Sequence, residues 1–197
     1  TVVIPNPVDS KGLPEVCRGE REKKVVSVGR LEYPKNQELL VEAFEEFYKK
    51  FPEYKLHFYG KGSKEKILRE MAAAKHLEDA VVFHGFCADV AVQIADSAMF
   101  VLSSDYEGVS NSMAEAMAMG IPVISTDCPP GGCRAYIENG RNGLLVPVGD
   151  AHALVKAMES VAGDRKLAER LSAEGAKIRG KYPVEKIAEK MLRTVQR

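Results

Sequence analysis

The stretch Glu107-Gly-Val-Ser-Asn-Ser-Met-Ala-Glu115 decides the fold of this chain of 197 residues. It follows the apolar run Ala98-Met-Phe-Val-Leu102, which predicts a buried strand, and it leads into residues 113–119, an apolar helical pattern. A strand end, a glycine and a helix start together form the anion-facing end of an α/β unit. The two carboxylates of the stretch are therefore expected to face whatever the N-terminus of that helix holds.

Apolar runs and helical patterns alternate along the rest of the chain. The sequence predicts strands over residues 25–29, 54–59, 81–84, 98–102, 122–126 and 143–146. It predicts helices over residues 36–51, 63–75, 89–96, 151–161, 165–179 and 184–195. A further helix is predicted to end at residue 119, and Ser63 is the predicted N-cap of the helix over 63–75. Such alternation is typical of a mostly parallel sheet covered on both faces. We therefore expect a doubly wound, Rossmann-like α/β domain with a six-stranded parallel sheet, helices on both faces and additional C-terminal helices.

The composition excludes several classes of protein. The 28 Lys and Arg residues balance the 28 Asp and Glu residues, so nothing argues for nucleic acid as a partner. No apolar run approaches the roughly 20 residues of a transmembrane segment, and the first residues do not resemble a signal peptide. The four cysteines form no Cys-x-x-Cys pair and share no metal-ligand spacing with the four histidines. We expect reduced thiols, no bound metal and a cytoplasmic location.

The start of the chain differs from the rest. Residues 5–19 are polar and contain Pro and Gly, which is typical of a linker or a terminal arm. We predict a junction over residues 1–22 and one folded domain over residues 23–197. Because the first residue is not Met, we expect a fragment or a processed product.

Several candidate functional residues follow directly after predicted strands. Ligands of doubly wound domains bind beyond the C-terminal ends of the strands, near the point where the strand order reverses. The candidates at that edge are Arg30, Lys35, Gly60, Gly62, Gly85 and Glu107. We interpret Gly60-Lys-Gly62 as a tight turn, because it is much shorter than a dinucleotide fingerprint and follows the second strand.

Glu115 has two interpretations. The helix around it is apolar on nearly every side, so its carboxylate requires a partner, and a bidentate contact to the two vicinal hydroxyls of a ribose would supply one. Alternatively, Ser112-Met-Ala-Glu115 fits a capping box in which Glu115 turns back to the Ser112 amide. If the helix starts at Ser110, the capping geometry is lost.

Glu107, Arg30 and Lys35 also have a functional and a structural interpretation. Glu107 is either an acid at the mouth of the ligand cleft or an exposed carboxylate at a strand end. Arg30 and Lys35 are either a clamp for a diphosphate, facing the helix that begins near Ser110, or two solvated surface charges. The chain contains no P-loop and no Gly-x-Ser-x-Gly elbow, which argues against a P-loop phosphohydrolase and against the common hydrolases.

Four segments resemble retaining GT-B glycosyltransferases of the group 1 (family 4) type. Glu107-Gly-Val-Ser-Asn-Ser-Met-Ala-Glu-Ala-Met-Ala-Met-Gly-Ile-Pro-Val-Ile-Ser-Thr126 resembles the Glu-x7-Glu signature of that family. Val28-Gly-Arg-Leu31 with Lys35-Asn36 resembles its phosphate-binding segment. Residues 139–150 resemble its closing strand and turn, and residues 1–9 its interdomain junction.

The resemblance implies a role for each matching residue. Arg30 and Lys35 would hold the donor diphosphate, Glu107 would contact the donor sugar and assist its transfer, and Glu115 would bind the ribose. The remaining binding positions implied are Gly108, Ser110 and Asn111 at the phosphates and Gly85 and Phe86 at the base. The family uses no metal or cofactor and takes a nucleoside diphosphate sugar as donor, with a UDP-sugar expected first and a GDP-sugar second. Its role lies in polysaccharide or glycoconjugate biosynthesis.

The chain departs from the family pattern in two ways. The family often carries a Glu shortly after a Gly-Gly pair, but Arg134 and Ala135 occupy that region here. No part of the sequence matches the separate N-terminal domain of the family. That domain would bind a sugar or lipid-linked acceptor and make any peripheral contact with the inner face of the membrane. Two alternatives remain open: a sugar-nucleotide epimerase of similar architecture, and a non-catalytic nucleotide-binding module.

Overall fold

The computed structural model describes residues 6–8, 11–183, 187–189 and 192–193. Six parallel strands form one sheet in the order β3-β2-β1-β4-β5-β6. The strands are β1 Glu22–Val28, β2 Lys55–Tyr59, β3 Val81–Phe83, β4 Ser97–Leu102, β5 Val123–Thr126 and β6 Leu144–Val146. The predicted Rossmann-like parallel sheet is therefore confirmed, and each predicted strand is present.

Helices connect the strands and cover both faces of the sheet. They are α1 Gln37–Tyr48, α2 Glu65–Ala74, α3 Val90–Ile94, α4 Asn111–Ala118, α5 Ala151–Gly163, α6 Arg165–Ala176 and α7 Ile178–Lys181, and a 3₁₀ helix spans Gly132–Ala135. The predicted helix over residues 165–179 is two helices, α6 and α7. Most of the helix predicted over residues 184–195 lies outside the described residues, and residues 187–189 and 192–193 are helical.

Several predicted helix ends differ from those in the structure. Helix α2 begins after Lys64, and the structure shows no side-chain cap there, so Ser63 is not its N-cap. Helix α1 ends at Tyr48, earlier than predicted, and Phe51 instead stacks on Phe47 at a centroid distance of 5.0 Å. Helix α1 begins after Asn36, which was predicted to lie inside the helix and is instead its N-cap, because its side chain accepts a hydrogen bond from the amide of Leu39 at 3.2 Å.

Two hydrophobic cores lie on opposite faces of the sheet. One packs α1, α2, α5 and α6 against the sheet, with Phe44, Phe47 and Phe58 fully buried. The other packs α3, α4 and α7, and it includes Met113 and Met117 of α4. Because strand β4 is covered on both faces, residues 98–102 form a continuous apolar run rather than an alternating one.

The strand order reverses between β1 and β4. From β1 the chain moves outward through β2 to β3, and then returns to the other side of β1 to form β4, β5 and β6. Such a reversal opens a crevice beyond the C-terminal ends of the two central strands. The loops after β1 and β4 line this crevice, and helix α4 starts in it.

Candidate active site

Hydrogen bonds join the two loops that line the crevice. The amide of Asp105 donates to the carbonyl of Pro34 at 2.9 Å, and Asn36 Nδ2 donates to Asp105 Oδ1 at 2.7 Å. The Ser103 hydroxyl donates to the carbonyl of Lys35 at 3.1 Å. Contacts within the chain therefore fix the backbone of both loops, as a pre-organised site requires.

An ion pair between Lys35 and Glu107 spans the crevice. The side chains are only 20% and 15% exposed, so neither charge is fully solvated. The Lys35 stem lies over Gly29, where an added Cβ would sit 3.5 Å from Lys35 Cε. The amide of Glu107 donates to the carbonyl of Pro129 at 3.0 Å, which ties this carboxylate to the loop after β5. The structure thus brings together two of the three predicted catalytic residues.

Arg30 lies apart from this pair. Its side chain is 79% exposed, and its nearest carboxylate is Glu32 at 3.9 Å. Its backbone carbonyl accepts a hydrogen bond of 2.8 Å from Gln37 Nε2, which connects the loop to the start of α1. The guanidinium of Arg30 is therefore mostly exposed to solvent, whereas the ammonium of Lys35 is paired with Glu107.

Helix α4 begins in the crevice with Ser110 as its N-cap. The Ser110 hydroxyl accepts from the amide of Met113 at 3.4 Å. The Ser112 hydroxyl donates to the carbonyl of Val28 at 3.2 Å, which holds the first turn against the end of β1. Because the cap is Ser110, the capping-box interpretation of Glu115 is wrong. The free amides of the first turn and the positive end of the helix dipole face the crevice.

The carboxylate of Glu115 is half-buried and has no ion-pair or hydrogen-bond partner among the residues that the structure describes. Burial raises its pKa above the usual value of a glutamate. Asn111 and Glu115 are four residues apart and therefore lie on the same face of α4. A partly desolvated acceptor without a partner is suited to hydroxyl donors of a ligand.

Close contacts between loops explain the glycines around the crevice. A Cβ on Gly60 would lie 1.9 Å from the carbonyl oxygen of Gly29, and a Cβ on Gly62 would lie 2.2 Å from that of Leu31. The Gly60-Lys-Gly62 segment therefore does more than turn, because it packs its backbone on the loop after β1. Gly132 is in similar contact with Gly108, since its Cβ would lie 1.6 Å from the Gly108 carbonyl oxygen.

Gly85 and Phe86 follow β3, on the outer side of the crevice. Gly85 has a φ of +69°, and its carbonyl accepts from the amide of Gly60 at 2.7 Å. Phe86 is 76% exposed, which is unusual for a phenylalanine and leaves its ring available for stacking. These residues are separated from Lys35 and Glu107 by β2, so they could contact a different part of an extended ligand.

The loop after β5 carries the departure from the family pattern. Arg134 forms a bidentate pair with Asp127, in which Nε donates to Oδ1 at 2.6 Å. The Ala135 carbonyl accepts from the hydroxyl of Tyr182 at 2.8 Å. Both residues therefore have contacts that stabilise the loop itself.

The thiols of Cys128 and Cys133 are buried and both are free, and the Ser125 hydroxyl donates to Cys133 Sγ at 3.1 Å. The interaction with the Cys133 thiol lowers the pKa of Cys128. Within the described ranges, no group of three or more His, Cys, Asp or Glu side chains could hold a metal ion. In the same part of the chain, no helix has the length and apolar character needed to cross a membrane.

The fold and this crevice define the Rossmann-like domain of GT-B glycosyltransferases. The sequence matches the family described as Glycosyl transferases group 1 over residues 14–178. The chain therefore belongs to the group 1 glycosyltransferases.

Curated relatives include bacterial glycosyltransferases. The putative glycosyltransferase EpsD of Bacillus subtilis is 32% identical over 190 residues, which cover 94% of this chain and 49% of EpsD. The poly(ribitol-phosphate) alpha-N-acetylglucosaminyltransferase of Staphylococcus aureus is 33% identical over 174 residues, which cover 88% of this chain and 35% of that enzyme. The chain thus spans half or less of the length of these relatives.

Solved structures share the architecture. A variant of S. aureus TarM, in complex with Fondaparinux, alpha-GlcNAc-glycerol and UDP, is 28% identical with a TM-score of 0.85, and the match covers 92% of this chain and 37% of TarM. The pneumococcal O-GlcNAc transferase GtfA, in complex with UDP and GlcNAc, is 28% identical with a TM-score of 0.84, covering 99% of this chain and 39% of GtfA.

Proposed function

We propose that this chain is the donor-binding domain of a retaining, metal-independent hexosyltransferase of the family 4 type. It binds a nucleoside diphosphate sugar and presents the sugar for transfer to an acceptor hydroxyl in polysaccharide or glycoconjugate biosynthesis. The observation that carries this proposal is Glu115, a half-buried carboxylate without a partner among the described residues. Such a group is costly to retain in a purely structural helix, whereas ribose hydroxyls would satisfy it.

The surrounding groups are placed to hold the rest of a nucleotide-sugar. Lys35 supplies a cation, and Gly108, Ser110 and Asn111 surround the N-terminus of α4, where anions bind favourably. Arg30 closes onto the diphosphate from its exposed position, and Gly85 and Phe86 contact the base. Leaving-group charge is neutralised by these cations and the helix dipole, so the reaction needs no metal.

Glu107 is the residue we assign to the donor sugar. It lies beside Lys35, so sugar and diphosphate would meet at the ion pair. In a retaining transfer the acceptor hydroxyl attacks from the face that the diphosphate leaves, and its proton passes to the departing phosphate oxygen. Glu107 stabilises the positive charge that develops on the sugar ring.

The relatives favour uridine as the base. TarM and GtfA are both seen with UDP, so we propose a UDP-sugar as donor, with a GDP-sugar as the second candidate. The acceptor, a sugar or a lipid-linked sugar, is bound by a separate N-terminal domain, and the protein acts in the cytoplasm with peripheral contact at the inner face of the membrane. Alone, this chain binds nucleotide weakly and does not transfer sugar.

Calorimetric titration with UDP, GDP and ADP tests the proposal. One nucleotide should bind best, and Glu115→Ala should weaken it by about tenfold or more, as expected for the loss of hydrogen bonds to a charged group. Glu42→Ala is the matched control, because Glu42 is exposed on α1, across the sheet from α4. Equal affinity of the wild type and Glu115→Ala, or no binding of any nucleotide, would contradict the proposal.

A further inference from the structure

A hydrogen bond joins the start of the chain to the start of helix α4. Asn6 Nδ2 donates to Asn111 Oδ1 at 2.8 Å. Asn111 is the first residue of α4, and its side chain is exposed. Asn6 itself lies within the segment that resembles an interdomain junction and contributes nothing to the binding roles described above.

Two tyrosines fix the backbone around Asn6. The hydroxyl of Tyr136, a buried residue, donates to the Asn6 carbonyl at 2.8 Å. Two residues later, the amide of Val8 donates to the carbonyl of Tyr182 at 2.8 Å, and the Val8 side chain is buried in the core beneath α4. The rings of Tyr136 and Tyr182 meet edge to face at 5.1 Å. The backbone that carries the Asn6 side chain is therefore held against the core.

The contact determines how the Asn111 amide is oriented. An asparagine side chain has one end that accepts hydrogen bonds and one end that donates them. Because Asn6 occupies Oδ1 of Asn111, the Nδ2 group is directed away from Asn6, and within the described part of the chain it has no partner. An unpaired N–H₂ group at the N-terminus of a helix is suited to a phosphate oxygen.

We propose that Asn6 is a positioning residue for the donor diphosphate. It holds the Asn111 amide so that Nδ2 donates to a phosphate oxygen at the start of α4, and it thereby links the junction segment to the phosphate end of the site. This proposal rests on the donor site proposed above. It adds a residue that lies more than a hundred positions from the signature motif and carries no charge.

The test compares UDP with uridine, which lacks the phosphates. Both affinities are measured by nuclear magnetic resonance titration of the whole chain. Asn6→Ala should weaken the affinity for UDP by roughly fivefold to tenfold, which is the effect of one lost hydrogen bond to a charged group. The affinity for uridine should not change. Asn6→Asp should weaken the affinity for UDP further, because the introduced carboxylate would attract Nδ2 of Asn111 and place a negative charge near the phosphates.

A double-mutant cycle separates positioning from a structural effect. If Asn6 acts through Asn111, adding Asn6→Ala to Asn111→Ala should cause no further loss of UDP affinity. Asn139→Ala is the matched control, because the Asn139 side chain also makes one hydrogen bond, to the amide of Leu145 on the edge strand β6. Melting temperatures of all variants establish that each is folded.

The outcomes are distinct. Unchanged UDP affinity of Asn6→Ala, equal losses for UDP and uridine, or additive effects of the two substitutions would each overturn the role of Asn6 while leaving the donor site intact. If the wild-type chain binds neither ligand, the proposed donor function fails, and the role of Asn6 fails with it.

Discussion

Lys35 and Glu107 form an ion pair that connects the loop after β1 to the loop after β4, at the reversal point of the sheet. Both side chains are mostly shielded from water, so the removal of either one leaves a poorly solvated charge. We predict that Lys35→Met and Glu107→Gln each lower the free energy of unfolding by about 1 to 3 kcal/mol, and that the double variant loses less than the sum. Urea denaturation measures the free energy of unfolding of the wild type, both single variants and the double variant.

The exposed pair Lys49–Glu46 on α1 is the control for that cycle. Its side chains are 59% and 58% exposed, so its coupling energy should be much smaller than that of Lys35 and Glu107. Strictly additive effects at Lys35 and Glu107 would show that their contact contributes nothing to the stability of the crevice.

The same pair makes a prediction about nucleotide affinity. Glu107 competes with a diphosphate for the ammonium of Lys35, so Glu107→Gln should bind UDP as tightly as the wild type or up to about fivefold more tightly. Lys35→Met should bind it about tenfold or more weakly. Calorimetry on the chain tests both, with Glu46→Gln as the control. Weaker binding by Glu107→Gln would mean that this carboxylate contacts the nucleotide directly.

The sequence predicted the sheet well because its signals are local. Most strands contain a short apolar run between turn residues, and the alternation with helices determines the parallel arrangement. It left the role of Glu115 open, since both Ser110 and Ser112 could begin the helix. The structure selects Ser110, whose hydroxyl accepts from the amide of Met113, because the Ser112 hydroxyl is already bonded to the carbonyl of Val28 on β1.

Contacts between distant segments could not be predicted, because the signals in the sequence are local. Nothing local in the sequence relates Asn36 to Asp105 or Asn6 to Asn111, although each pair is hydrogen-bonded. Asparagine before a helix is a recognisable capping signal, and it could have identified Asn36 as the N-cap. The glycine pair at 131–132 gave no comparable indication that one of its members contacts Gly108.

The pKa of Glu115 makes stability depend on pH. Burial raises it above the value in the unfolded chain, so the folded state holds the proton more tightly. Below the unfolded pKa the carboxyl is protonated in both states and has no ionisation cost. As the pH rises through the raised folded pKa, ionisation destabilises the fold. Glu115→Gln should therefore melt roughly 1 to 2 °C above the wild type at neutral pH.

This difference should shrink as the pH falls through the raised pKa of Glu115, because the wild-type residue is then neutral as well. Differential scanning calorimetry across the acidic range provides the comparison, with Glu42→Gln as the control on the exposed face of α1. The variant should at the same time bind UDP more weakly, as expected where a group serves function at the expense of stability. A variant that is less stable than the wild type at every pH would instead indicate that Glu115 has a structural partner.

Gly132 tests whether the loop after β5 supports Glu107. A methyl group at position 132 would overlap the carbonyl of Gly108, at a distance of 1.6 Å, and the neighbouring Glu107 is bonded through its amide to Pro129 in the same loop. Gly132→Ala should therefore lower the free energy of unfolding by about 2 to 4 kcal/mol and weaken the affinity for UDP, because the two loops must move apart. Gly180→Ala, in α7 with open space around it, should be close to neutral. Chemical denaturation and UDP titration of both variants test this prediction. An unchanged stability of Gly132→Ala would show that the loops can separate freely. Glu107 would then be held by Lys35 alone.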